Sequence, residues 1–207
     1  MQHAAVEALI VPILTRPDET PLNDCTIQGL GMLRYRLNSN LRLHIWHSDI
    51  KTPDIENSAK HTHAWDFNSY IFAGQLENTI YEKAMTGKWY DHPRYWEQQI
   101  ECGADGCTMG DPTEVALYDA SSGIFRAGDQ YFEFGDQIHQ TVWQDTTVTL
   151  IYREKKKSGK DIANIYIPVD NGYVAAPAIQ ASVEQRRKYC DLAMGRIYDE
   201  CIHWGRV

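Results

Sequence analysis

Long apolar runs are missing from this sequence. No stretch approaches the ~18 consecutive apolar residues that a membrane-spanning helix needs. Glu7 and Pro12 stand where a secretory signal would carry its apolar middle, so a cytoplasmic protein with no membrane partner is expected. Basic charge is also scarce: 20 Lys and Arg face 28 Asp and Glu, a formal charge of −8. The basic runs REKKKSGK and EQRRKY are short enough to be solvated turn and helix surface. Phosphate-backbone recognition is therefore disfavoured, and no nucleic-acid partner is expected. Cysteines are few and odd in number. Cys25, Cys102, Cys107, Cys190 and Cys201 are scattered along the chain, which is not a disulfide framework. Cys102 and Cys107 are spaced to share a zinc ion, but no second cysteine pair or nearby histidine completes four ligands, so loop thiols are expected. Internal repeats and low-complexity segments are absent as well.

What is present is an ordinary folding composition, 43% apolar and 23% charged over 207 residues. That is enough for one domain with a proper core and too short for two comfortable ones. HAAVEALIVPIL has helical composition, and Pro12 is expected to end or kink that helix. TIQGLGMLRYRL and LRLHIWHSD then alternate as strands, with Leu43, Ile45 and His47 on one face and Arg42, His44 and Trp46 on the other. NSYIFAG and QLENTIYE read as two strands, or one strand bent at Gly74. Residues 83–112 show no sustained period and read as an elaborated loop. EVALYDA, SSG and IFRAG read as a hairpin. QYFEF, IHQTVW, TTVTLIYR and NIYIPV follow at short spacing. Many short strands between turn signals argue an all-β sandwich or barrel, with its core over about residues 26–170. SVEQRRKYCDLAMGRIYDECIHW returns to helical period, predicting a helix over about 181–204 that caps the barrel.

The chemistry gathers in HTHAWDFNSYIFAG. On a strand, His61 and His63 point to the same side, and two neutral imidazoles so placed can share one divalent metal. Such a pair arises readily by chance in a chain with eight histidines, so a third ligand has to carry the claim. His139, in AGDQYFEFGDQIHQTVW, is that candidate. The pair followed by a strand and a glycine resembles the first motif of the cupins, and the run from Gly128 to His139 resembles the second. The resemblance spans about residues 30–155. It implies a double-stranded β-helix, or jelly-roll barrel, with N-terminal and C-terminal helical flanks, pairing through its sheets into a homodimer.

In the usual first motif a glutamate follows the second histidine; here those positions hold Phe67 and Asn68. A three-histidine set without glutamate is similar to the thiol dioxygenases of the cysteine dioxygenase type. The resemblance implies iron(II) on His61, His63 and His139, with manganese, nickel and zinc as alternatives. By the same resemblance RYRLNSNLRLHIW supplies Arg36 as the residue that binds a substrate carboxylate, with Tyr35 beside it. Arg42 suits that role equally on chemical grounds, because a guanidinium donates two parallel hydrogen bonds. VTLIYRE lacks the histidine that those enzymes carry on the equivalent strand, so a thiol is one option among small anionic or amino-acid-like substrates.

Three more assignments follow from spacing. Asp66 could approach the metal, but on an extended strand it faces away from His63. It is more suited to accept from a ligand histidine or a turn N–H and fix the geometry. His47 could line the cavity behind the ligands, whereas His44 is expected at the surface. The expected activity is a non-haem iron dioxygenase acting on a small polar or carboxylate-bearing molecule. Its rivals are a metal-dependent isomerase, epimerase or lyase, with Glu133 or Tyr131 moving a proton, and a non-enzymatic ligand-binding barrel.

Overall fold

The computed structural model describes residues 3–19, 25–28, 31–50, 60–85, 91–103, 106–156, 161–170 and 179–203. The elements begin with helix α1 (His3–Thr15), then β1 (Cys25–Gln28), β2 (Met32–Arg36), β3 (Leu41–Trp46) and β4 (Lys60–His61). Next come β5 (Trp65–Ala73), β6 (Gln75–Lys83), β7 (Arg94–Gly103), β8 (Gly106–Met109) and β9 (Thr113–Arg126). The remaining elements are β10 (Gln130–Glu133), β11 (Ile138–Trp143), β12 (Thr147–Lys156), β13 (Asp161–Pro168), β14 (Ile179–Gln180) and helix α2 (Val183–His203). No helix among the described residues is long and apolar enough to cross a membrane.

One sheet runs in the order β10, β5, β12, β3, β2, β1, β14, and the other in the order β13, β4, β11, β6, β9, β7, β8. At their centre, β3, β12, β5 and β10 face β4, β11, β6 and β9. The chain passes between these quartets so that strands adjacent in sequence mostly lie in opposite sheets. That interleaving is a double-stranded β-helix, the jelly roll. Gly74, at φ +83°, makes the tight turn from β5 to β6; an added Cβ there would meet Thr147 Oγ1 at 2.6 Å.

The main apolar core lies outside the barrel. Leu33, Tyr35, Leu43, Ile45, Val148 and Leu150, on the outer face of the first sheet, pack under Val6, Ile10, Ile13 and Leu14 of α1 and Tyr189, Cys190, Ala193 and Ile197 of α2. This packing explains why α1 continues through Pro12 rather than ending there. Four buried side chains contribute roughly 1.5–3 kcal/mol each, which outweighs the ~3 kcal/mol that an internal proline costs. α2 opens with a reciprocal cap: the Gln185 N–H donates to Ser182 Oγ at 3.1 Å, and the Ser182 N–H donates to Gln185 Oε1 at 2.9 Å.

Three expectations about strands are corrected. TIQGLGMLRYRL is not one strand: β1 and β2 form an antiparallel hairpin. EVALYDASSGIFR is not a hairpin but the single strand β9, because both halves pair along the same partner, β6. Residues 83–112 are not a loop. β7 and β8 pair within that segment, placing Cys102 opposite Cys107 in backbone register.

β7 also pairs with both β9 and β13, and β13 pairs with β4. The second sheet therefore closes into a six-stranded ring of β4, β11, β6, β9, β7 and β13. Tyr95, Val115, Leu117, Ile138 and Tyr166 fill it, with Tyr81 packed against them. The ring also takes in polar groups: Glu97 Oε1 accepts the Tyr166 hydroxyl at 2.8 Å, and Lys60 Nζ stands 4.4 Å from the Tyr81 ring. Glu97 among the inward positions breaks the apolar alternation that would have marked β7 as a strand.

Candidate metal centre

The three histidines converge between the two sheets. His61 and His139 are direct cross-strand partners on β4 and β11, and His63 follows two residues later, just before β5. One ligand atom from each lies within 4.8 Å of the other two, and the His63 and His139 Nε2 atoms are 3.0 Å apart. Imidazole nitrogens about 2.1 Å from a common ion are separated by roughly this distance. Burial pushes the His63 and His139 pKa values well below the ordinary imidazole range. The neighbouring histidines add to this at both residues, and Arg42 and His44 add to it at His63. Both are therefore neutral at pH 7, the form that ligates.

The chain also orients the ligands. His139 Nδ1–H donates to Asn78 Oδ1 at 2.9 Å, which leaves the Nε2 lone pair facing the other two rings. Asn78 Nδ2 in turn donates to Glu133 Oε2 at 2.7 Å. Glu133 is almost fully buried, its Oε1 has no hydrogen-bond partner among the described residues, and burial pushes its pKa up to about 7. On the other side, the His63 N–H donates to Gly135 O at 2.6 Å and the Gly135 N–H donates to Asp66 Oδ1 at 2.7 Å. Asp66 thus fixes the turn against which His63 rests. Gly135 has no room for a side chain: a Cβ would stand 2.7 Å from Trp65 O and 2.8 Å from His63 O.

Aromatic rings wall the histidines. The Trp65 and Phe67 ring centroids lie 4.6 and 5.0 Å from that of His63; Ile151 belongs to the same cluster, and Tyr131 packs against it, its ring centroid 6.3 Å from that of Phe67. Behind Trp65 stand two guanidinium groups, Arg153 at 4.3 Å and Arg42 at 4.9 Å from the ring centroid. Strand register puts Arg42 directly opposite Arg36 on β2, with Arg34 opposite His44.

Eight strands in jelly-roll order, with two histidines ahead of the third strand and one on the seventh converging inside, decide the architecture. The fold is that of a cupin. No protein-family model matches the chain, and no curated protein matches it. Among solved structures, hydroquinone 1,2-dioxygenase from Sphingomonas sp. TTNP3 with 4-hydroxybenzoate bound shares 12% identity at a TM-score of 0.31, over 57% of this chain and 62% of its own. This chain thus spans less than two thirds of that relative. The Drosophila melanogaster CENP-C cupin domain shares 9% identity at a TM-score of 0.34, over 74% of this chain and 100% of its own. Hydroxypropylphosphonic acid epoxidase from S. wedmorenis shares 11% at 0.32, over 66% and 56%. At such values the likeness adds nothing to the strand order itself.

Two residues expected at the site lie elsewhere. Tyr35 points out of the barrel into the helix-covered core, its hydroxyl 3.3 Å from Cys190 Sγ. His47 also stands on the helix side, its ring centroid 6.3 Å from that of Tyr189 and its Nδ1 accepting the Asp49 N–H at 3.0 Å. The reason is common to both. The apolar face of β2 and β3 packs under the helices, so the polar face of Arg42, His44 and Trp46 lines the interior. His44 accordingly lies inside, 5.8 Å from Trp46 between ring centroids, rather than at the surface. Arg36 lies on the inward-facing side, at the exposed end of its strand. Asn78, Arg34 and Arg153 were not singled out from the sequence. The alternation of LRYR and IYR contained the arginines' signal once the inner face was known. Two open surface clefts of about 360 and 400 Å³ lie beside the helices, and none of the three histidines lines them.

Proposed function

We propose that this cupin is a metal-dependent enzyme in which His61, His63 and His139 hold one divalent transition metal, iron(II) by preference. In this reading it oxidises a small polar, carboxylate-bearing molecule with dioxygen. The convergence of three imidazoles, with His63 and His139 held neutral by burial, carries the proposal. A bound iron(II) would supply a Lewis-acidic centre with open positions for substrate and dioxygen. The chain's own residues do the rest. Asn78 holds the His139 tautomer and Asp66 holds the turn under His63. Trp65, Phe67 and Ile151 keep water from the reacting atoms. Arg42 and Arg36 bind the carboxylate, and orientation by such a clamp is itself a large part of catalysis. A thiol is not required by this geometry, since Tyr35 points away from it.

A second reading is supported by Glu133. A buried carboxyl with a pKa near 7, its Oε2 4.0 Å from His139 Nδ1, is suited to moving a proton in a metal-dependent isomerase or lyase. Elemental analysis of protein purified without a metal-binding tag, paired with His139→Ala, tests the shared core. Near-stoichiometric metal lost in the variant supports both readings, and metal retained by the variant refutes the site. Dioxygen uptake by the iron form selects the oxygenase. Turnover without dioxygen, supported by manganese or zinc, selects the isomerase.

A further inference from the structure

Glu133 is anomalous for the interior of a barrel. It is 1% exposed, and its Oε1 is buried without a hydrogen-bond partner among the described residues. Its Oε2 accepts from Asn78 Nδ2 at 2.7 Å, and Asn78 Oδ1 accepts from His139 Nδ1 at 2.9 Å. Glu133 stands at the end of β10, in the first sheet, whereas Asn78 and His139 stand on the neighbouring strands β6 and β11 of the second. The carboxylate therefore reaches the ligand histidine across the barrel, through one amide. It makes no direct bond to that ring, since Oε2 is 4.0 Å from His139 Nδ1.

A buried carboxylate with one orphan oxygen is destabilising, and glutamine would fill the same volume and could still pair with Asn78. What only the carboxylate supplies is polarity. An ionised carboxylate accepts and never donates, so it takes the Nδ2 end of Asn78 and leaves Oδ1 for His139. Turned over, the amide would set Oδ1 against Oε2, acceptor against acceptor, and Nδ2 against His139 Nδ1. His139 would then carry its proton on Nε2, the nitrogen that faces His63, and could not ligate there. The further contact of the amide, Thr141 Oγ1 at 3.4 Å from Oδ1, does not choose between the two orientations, because a hydroxyl either donates or accepts.

We propose that Glu133 is a positioning residue of the metal centre: it fixes the amide orientation of Asn78 and, through it, the His139 tautomer that ligates. The inference deepens the proposed function and rests on it for the metal; the tautomer can be read with no metal bound. The role is the same whichever reaction the metal supports, and Oε1 takes no part in it.

The test exchanges the two groups at constant shape. Glu133→Gln presents an amide to an amide, so Asn78 is free to turn over. Combining it with Asn78→Asp restores a single polarity from the other side, because the new carboxylate at position 78 accepts both from His139 Nδ1–H and from the new amide at position 133. Nitrogen NMR of the imidazoles in the chelated full chain, at one alkaline pH, reads the tautomer; the His139 signals are identified by their loss in His139→Ala. Wild type should show the Nδ1–H form. Glu133→Gln should show a mixture with the Nε2–H form, and its zinc affinity, measured by competition with a chelator, should fall about twofold or more as the ligating fraction falls. The double variant should return the Nδ1–H form and wild-type affinity, a rescue that a merely space-filling Glu133 would not produce. Wild-type tautomer and affinity in Glu133→Gln, or a double variant no closer to wild type than Glu133→Gln, overturns the proposal. The expected tautomers in proteins that bind no metal uphold the positioning of His139 while the metal reading fails.

Discussion

Replacing Gly135 by alanine probes the scaffold of the histidine site more sharply than removing a ligand. The added Cβ would sit 2.7 Å from Trp65 O and 2.8 Å from His63 O. Both distances fall about 0.6 Å short of ordinary contact, and both obstacles are backbone, so no rotamer change relieves them. The turn must move away, which stretches the His63 N–H bond to Gly135 O and the Gly135 N–H bond to Asp66. Overpacking costs about 1–3 kcal/mol, and weakening one of these hydrogen bonds adds about 1 kcal/mol. A destabilisation of roughly 2–4 kcal/mol is expected. A shift of this size also exceeds the ~0.5 Å within which a metal constellation must be held, so metal affinity should fall at least tenfold. Gly195→Ala is the control. It lies within α2 with nothing within 4 Å of an added Cβ, and should stabilise by roughly 0.5–1 kcal/mol. The assay is urea unfolding of both variants, with metal content measured on the folded protein. Gly135→Ala matching wild type in midpoint and metal content would refute the claim that this close approach positions His63.

Glu133 makes a prediction about pH. Its folded-state pKa is raised from 4.5 to about 7 by burial. The stability it contributes is therefore fully present below pH 4.5 and lost as pH rises through 7, about 3 kcal/mol in all. In chelated protein, Glu133→Gln should gain on wild type by about that amount between pH 4.5 and 8, measured by urea unfolding at each pH; parallel curves would show that Glu133 does not carry this shift. Tyr35→Phe tests the correction made on β2. It should cost about 1 kcal/mol or less through loss of the Cys190 contact and leave metal content and turnover unchanged. A selective drop in turnover would return Tyr35 to the site.

Much of the site was legible because it depends on local rules. The i, i+2 spacing of His61 and His63 forces both imidazoles to one side of a strand, and the tertiary structure joins them to His139 as the motif resemblance implied. Asp66 could be turned away from the ligands by the same period-2 reasoning, and it holds the Gly135 turn. The helical stripe of α2 was equally plain: of Tyr189, Leu192, Ala193, Ile197 and Cys201, the first, third and fourth are buried and Leu192 packs against the same core, while the Cys201 side chain lies outside the described residues. β7 was not legible, because its inward face carries Glu97 among aromatic residues and so lacks an apolar period.

The division between the two sources of information is clearest on β3. Alternation alone determined that Leu43 and Ile45 share one face and Arg42 and His44 the other. It could not determine which face is inside, because a strand buried on both sides has two interiors. α1 and α2 cover the outer face of the first sheet, so the apolar side belongs to them and the charged side belongs to the barrel. The sequence by itself determined an all-β sandwich or barrel with a histidine pair at the start of a strand, and the motif resemblance implied the jelly roll. Tertiary packing decided that Tyr35 and His47 lie under the helices, and that four arginines line the inner face of the first sheet beside the three histidines.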